Sequence, residues 1–209
     1  RKKLAQLLPS ARGHVLEPWA AYWELKSRLD EASPQEVDAF LLRYAGTYQE
    51  DRLRNDWLLL LGKRRDWEAF AAHHAFFRMS DDREVRCYAL LVDHLRGVGT
   101  PGDKVGEELR RNWYAQRDAD DGCAVAADRL LAAKKISELD VWRKARLAIE
   151  ANRPGVARTA VEIVAPEFVP AVRDLNDNPA RFLAAKATAP GRDRKELVVL
   201  ALLKMASSD

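Results

Sequence analysis

Four kinds of side chain in this 209-residue chain could do chemistry: four histidines, several paired acids, six tryptophans and two cysteines. His73 and His74 are adjacent, so on a helix they point about 100° apart and cannot share a metal ion. His14 and His94 have no carboxylate or thiol at ligand spacing, and HExxH is absent. Acids pair at Asp81-Asp82, Glu107-Glu108 and Asp120-Asp121. Glycoside chemistry needs two carboxyls facing across a cleft, one of them with a raised pKa. These pairs fall near expected helix N-termini or among arginines, where the helix dipole and surface pairing favour acids. There is no GxSxG, no Walker loop and no Rossmann glycine pattern. The residues therefore predict no catalytic group, no metal site and no cofactor.

Trp19, Trp23, Trp57, Trp67, Trp113 and Trp142 could stack on sugar rings. At helical spacing beside Leu and Ala they are expected instead to fill helix interfaces, with four or five of the six in the core. Arg64-Arg65, Arg110-Arg111 and Lys134-Lys135 could touch an anionic polymer, but neighbouring acids make them a solvated face. Cys87 and Cys123 are too few for a metal cage and form no CxxC pair. Two buried thiols and one disulfide both fit the residues.

Apolar residues make up 47% and charged residues 32%, which excludes a disordered or fibrous chain. The net charge is +3, from 35 basic and 32 acidic residues mixed along the length, so no segregated basic face points to nucleic acid. No apolar run approaches the roughly 18 residues of a membrane span. The chain starts at Arg1 with no signal peptide, as a mature or trimmed segment would.

The elements that would position these residues are helices. Pro18 opens an apolar-periodic run, Trp19 to Leu29. Ser33-Pro34-Gln35-Glu36 is a capping box for a helix carrying Val37, Phe40, Leu41 and Tyr44, which Gly46 can stop. Thr47 to Glu50 offers a second box, and the helix through Leu53, Trp57, Leu60 and Leu61 is expected to stop at Gly62. Asp66 should cap a helix bearing Trp67, Phe70 and Phe77, and Ser80 one bearing Val85 to Leu95. Gly97, Gly99, Pro101 and Gly102 form the loosest stretch. Further helices are expected near 103–116, 120–133, 138–151, 155–164, 167–176, 179–188 and 192–206. Some ten to twelve helices with short loops predict antiparallel hairpins recurring about every 30–40 residues, an all-α solenoid without a domain linker. The apolar last helix, Leu197 to Met205, suggests that more helices follow.

The order of segments resembles a known family. His14-Val-Leu-Glu-Pro-Trp-Ala-Ala-Tyr22-Trp-Glu-Leu25 is similar to its opening "HPL-x-PY-x-EY-x-x-L" helix. Val37 to Tyr44, then Arg52-Leu-Arg54-Asn-Asp-Trp57-Leu-Leu-Leu-Leu61-Gly-Lys-Arg-Arg-Asp66-Trp67-Glu-Ala-Phe70, resembles its "FL-x-x-Y … LR-x-x-WL-x-x-L-x-x-x-x-DW-x-x-F" stretch. Cys87-Tyr-Ala-Leu-Leu, Cys123 and Trp142-Arg143-x-x-Arg146-x-Ala148 complete the series. The pattern is that of the soluble lytic murein transglycosylases, periplasmic enzymes of Gram-negative bacteria. Val15 stands where the family usually has Pro.

The resemblance implies that residues 1–209 form part of a U-shaped, right-handed superhelical domain of helix hairpins, and that the lysozyme-like catalytic domain is absent from this chain. Family members cleave the β-1,4 bond between N-acetylmuramic acid and N-acetylglucosamine, giving a 1,6-anhydromuramoyl product. The Glu responsible sits in a Glu-Ser motif of the other domain. Neither that dipeptide nor the family's Gly-Leu-Met-Gln segment occurs here, so no catalytic role carries over. By the same resemblance Cys87 and Cys123 form a disulfide, suited to an oxidising periplasm and worth about 3–4 kcal/mol in the chain-entropy model. The implied function is a non-catalytic scaffold that helps place peptidoglycan glycan strands for the parent enzyme. The alternative is a helical-repeat module that binds a protein or peptide and has no cell-wall role.

Overall fold

The computed structural model describes residues 2–98, 104–188 and 190–207. Among them are thirteen α-helices, two 3-10 turns and no strand, as the periodicity predicts. They fall into two compact units, Arg1–Val85 and Arg86–Asp209. No linker composition marks this division because it falls inside a helix.

The first unit holds α1 (Lys2–Leu7), a 3-10 turn (Leu8–Ala11), α2 (Glu17–Lys26), α3 (Pro34–Arg43), α4 (Tyr48–Arg64), α5 (Trp67–His74) and the start of α6 (Arg83–Leu95). Its core is Tyr22, Leu25, Val37, Leu53, Trp57, Leu58 and Phe70. Helix α1 was not foreseen; its six residues carry no caps and no apolar stripe long enough to read. The Ser33 box forms as expected: Ser33 Oγ accepts the Glu36 N–H at 3.2 Å, and the Glu36 carboxylate accepts the Ser33 N–H at 2.9 Å. Helix α3 ends where expected, with Gly46 at φ 82°.

Four boundaries depart from expectation, the first being that α5 ends at His74, so Phe77 is buried beyond the helix rather than on it. Only half of the Thr47 box forms, because Glu50 accepts from Gly46 N rather than returning to Thr47. Helix α4 runs past Gly62 to Arg64, and Arg65 closes it at φ 61°. Its N–H donates to Gly62 O and that of Asp66 to Leu61 O, so the paired end-of-helix bonds form without a glycine. Helix α6 is capped by Asp82, not Ser80: the Asp82 carboxylate accepts the N–H groups of Glu84 (2.9 Å) and Val85 (3.1 Å). Ser80 lies too far upstream to reach the first turn, which begins at Arg83.

The second unit continues through α7 (Val105–Ala115), α8 (Asp121–Ala132), α9 (Glu138–Glu150), α10 (Pro154–Val164), a 3-10 turn (Pro166–Phe168), α11 (Val169–Asp177), α12 (Pro179–Lys186) and α13 (Arg192–Ala206). The expected loose stretch at Gly99 to Gly102, and a helix start at Asp103, lie outside the described residues. Helix α7 packs on α8 and α9, and α8 on α10; from α9 to α13 each helix packs on the next, and α13 returns onto α9 and α11. Small buried residues, Ala145 and Ala148 on α9 with Ala157 and Ala160 on α10, let this pair approach closely beside the buried Trp142.

The backbone comes close at Gly106, where a Cβ would overlap the Lys135 carbonyl oxygen. Gly155, on the first turn of α10, faces open space. Gly106→Ala should therefore cost about 2–3 kcal/mol in denaturant unfolding, whereas Gly155→Ala should stay within about 1 kcal/mol, on the stabilising side.

Candidate functional site

The residues singled out for chemistry are mostly engaged in holding helices. Asp82 and Asp120 cap α6 and α8, Asp120 accepting the Cys123 N–H at 2.6 Å. Glu107 and Glu108 sit in the first turn of α7. Asp121 accepts the Tyr88 hydroxyl hydrogen bond. His73 is half-buried against the Trp57 ring, 6.2 Å between centroids, and burial pushes its pKa down. His74 stacks on Phe70, and His14 Nδ1 accepts the Leu16 N–H at 3.1 Å. Among the described residues no group of three or more His, Cys, Asp or Glu could hold a metal ion. Of the basic pairs, Arg64 donates to Asp30 O and Arg110 meets Asp140 at 3.4 Å.

Cys87 on α6 and Cys123 on α8 are fully buried and joined, with Sγ atoms 2.06 Å and Cα atoms 4.8 Å apart. With the Tyr88–Asp121 hydrogen bond beside it, the bridge ties these two helices at one level.

A groove of about 500 Å³ lies between α2, α3 and the residues of the first two turns. Its charged groups satisfy one another. Arg28 bridges Glu24 (2.9 Å) and Glu36 (2.6 Å), and Arg43 meets Glu17 at 2.5 Å. The Gly13 N–H, then Arg43 and Tyr44, hold the Glu17 carboxyl below the usual range. A glycosidase acid is tuned in the opposite direction.

Trp57, Trp113 and Trp142 are buried, Trp67 is half-buried, and Trp19 and Trp23 are 37% and 50% exposed. Three tryptophans rather than four or five are in the core. The buried residues of α2 are Ala21, Tyr22, Glu24 and Leu25, so the apolar run that holds Trp19, Tyr22, Trp23 and Leu25 turns only its middle inward and leaves both tryptophans at its edges.

Trp19 and Trp23 instead join a second helix at the surface. Trp19, Tyr22, Trp23 and Lys26 of α2 face Tyr48, Arg52 and Asp56, which recur at intervals of four on α4. Trp19 lies 5.7 Å from Tyr48 and 6.1 Å from Tyr22, and Tyr22 lies 5.0 Å from Trp23. The Tyr22 hydroxyl donates to Asp56 at 2.8 Å, and Lys26 Nζ donates to both, at 3.1 Å each. Burial alone would lower Lys26, but its bonds to Tyr22 and Asp56 outweigh that and hold the ammonium above its usual range.

One group carried no readable signal. Lys144 is 3% exposed, and its Nζ donates to Trp113 O (2.5 Å) and Gln116 O (2.6 Å), closing the C-terminus of α7. Burial pushes it down to about 8, while Asp120 pulls it upward. It sits among Val141, Trp142 and Ala145, where the stripe alone predicts an apolar residue.

The architecture is thus one of helix hairpins whose polar groups serve helix ends and loops, their own or a neighbour's. No protein-family model matches the chain, and no curated protein matches its sequence. Solved structures do match. The lytic transglycosylase Slt of Pseudomonas aeruginosa, as an inactive mutant, is 23% identical with a TM-score of 0.56, over 97% of this chain and 33% of its own. The 70-kDa soluble lytic transglycosylase of Escherichia coli is 18% identical with a TM-score of 0.63, over 98% of this chain and 33% of its own. A 70-kDa soluble lytic transglycosylase in complex with bulgecin A gives 17% identity and a TM-score of 0.63, over 100% and 34%. The fold is therefore shared with soluble lytic transglycosylases along nearly the whole chain, which spans about a third of their length.

Denatured protein alkylated without reductant should show no added alkyl group by intact mass, because the two cysteines form one bridge. Two added groups would rule it out.

Proposed function

We propose that this chain belongs to a non-catalytic helical domain of a peptidoglycan lytic transglycosylase working in the periplasm. In this reading the catalytic lysozyme-like domain is a separate part of the parent enzyme. The observation that carries it is the fold shared over 97–100% of the chain with a third of each solved lytic transglycosylase. Supporting it, the sequence resembles that family from His14 to Ala148 and lacks its Glu-Ser motif. The Cys87–Cys123 bridge suits an oxidising compartment, and no helix among the described residues is long and apolar enough to cross a membrane.

The module's work is mechanical. Glycan strands are long and weakly anchored at any one sugar, so a rigid helical wall beside a catalytic domain raises the time a strand spends in reach. Rigidity is what tied helix ends provide.

Purified chain mixed with murein sacculi should sediment with them and release no 1,6-anhydromuropeptides. Anhydromuropeptide release would overturn the non-catalytic assignment. Absence of sacculus binding, with a stoichiometric protein partner recovered instead, would favour the peptide-binding alternative.

A further inference from the structure

We propose that the face built by Trp19, Trp23 and Tyr48 around Lys26, Arg52 and Asp56 is a glycan-binding surface for β-1,4-linked N-acetylated hexosamines bearing carboxylates. The inference rests on the cell-wall reading above and gives it a place on the molecule. Three large rings remain open there, Trp19 at 37%, Trp23 at 50% and Tyr48 at 54% exposure. A monomer gains nothing for folding from aromatic surface left in water, and such clusters mark contact sites.

The chemistry between the rings selects the occupant. A pyranose has an apolar C–H face that lies on an aromatic ring and an equatorial rim of hydroxyls that both donate and accept. The rings here surround a polar centre in which Tyr22, Lys26 and Asp56 already hold one another within 3.1 Å. Tyr22 and Asp56 are largely covered, so the group that reaches solvent beside the rings is Lys26, 35% exposed at its side chain, whose ammonium has a third N–H left for a sugar hydroxyl or acetamido oxygen. Lys26 and Arg52 outnumber Asp56, leaving one positive charge for an acidic substituent on the strand.

The surface is also held in place before any ligand arrives. The Lys26 ammonium lies 5.5 Å from the Tyr22 ring centre and 5.8 Å from that of Trp23, bracing the more exposed tryptophan. Asp56 keeps only 12% of its side chain exposed. Ordered rings lose little freedom on binding, so their contacts count fully towards affinity.

The test titrates the full 209-residue chain with peptide-free glycan strands and with N-acetylglucosamine oligomers, followed by tryptophan fluorescence and by sedimentation with sacculi. Trp23→Ala on α2 and Tyr48→Ala on α4 should each weaken glycan binding about tenfold, the size of one lost ring contact. Helicity should stay at the wild-type value and the thermal midpoint within about 4 °C of it, because both rings are about half exposed. Leu42→Ala, at an 81% exposed position of α3, should bind as wild type does. Sacculus binding with equal affinity for wild type and both ring variants would overturn this face and leave the scaffold reading standing. Failure of the wild type to bind sacculi, strands or oligomers would overturn both. Anhydromuropeptide release by a chain whose ring variants bind weakly would sink only the non-catalytic reading.

Discussion

Short helices have many ends, and every end exposes backbone groups that must find partners. The described α-helices run from 6 to 17 residues, and all but α4 are at or below the length at which an isolated helix is marginal in water. What this molecule depends on is a set of buried side chains that leave one element to satisfy the backbone of another. Asp51 on α4 is the clearest. Its carboxylate, 3% exposed as a residue, accepts the Arg78 N–H at 3.1 Å and the Met79 N–H at 2.7 Å, fixing the loop that leads to α6. Beside it Glu50 accepts the Gly46 N–H at 2.9 Å and pairs with Arg54 and Arg78. Burial would raise Glu50, but these partners outweigh it and hold the carboxyl below its usual range. In the second unit Lys144 does the reciprocal work on carbonyls, and Asp140 closes its own capping box at Ser137 while accepting from Tyr114.

The same constraint bears on function. A carboxylate committed to N–H donors and arginines is stabilised in its charged form and makes a poor general acid at neutral pH. Glu17, Glu36, Glu50 and Asp140 are all displaced downward. Tyr114 is displaced upward, to about 12, by burial and by Asp140. The polar groups with substantial structure around them are therefore tuned for holding shape. The Trp19–Trp23–Tyr48 face differs in kind, because its aromatic surface is open.

Local signals were legible where a side chain acts on its own helix. The Ser33 box, Gly46 and the Asp66 cap, which accepts the Ala69 N–H at 3.1 Å, all stand where the residues indicate. Twelve of the thirteen helices follow from stripes and breakers, and the family resemblance agreed with the fold found in solved structures. What could not be read acts across the chain. Arg65, Lys134 and Asn152 take left-handed φ values of 61°, 57° and 53° at helix ends, positions where sequence reasoning looks for glycine. There the paired end-of-helix bonds outweigh the cost of a Cβ in that region. Asp51 and Lys144 interrupt apolar stripes for partners 27 and 31 residues away. The tryptophans of α2 show a further limit, since Trp19, Tyr22 and Trp23 are all apolar and crowd one side, and spacing does not say which of these rings faces out.

Equilibrium unfolding of Asp51→Ala, paired with amide exchange at Arg78 and Met79, tests the claim that such ties hold the short helices together. Removing the carboxylate leaves two part-buried N–H donors without their acceptor, while Arg54 keeps its pairing with Glu50. The expected loss is about 3 kcal/mol, with protection at both amides abolished. A change below about 0.5 kcal/mol with protection retained would show that apolar packing alone suffices, and would contradict the account.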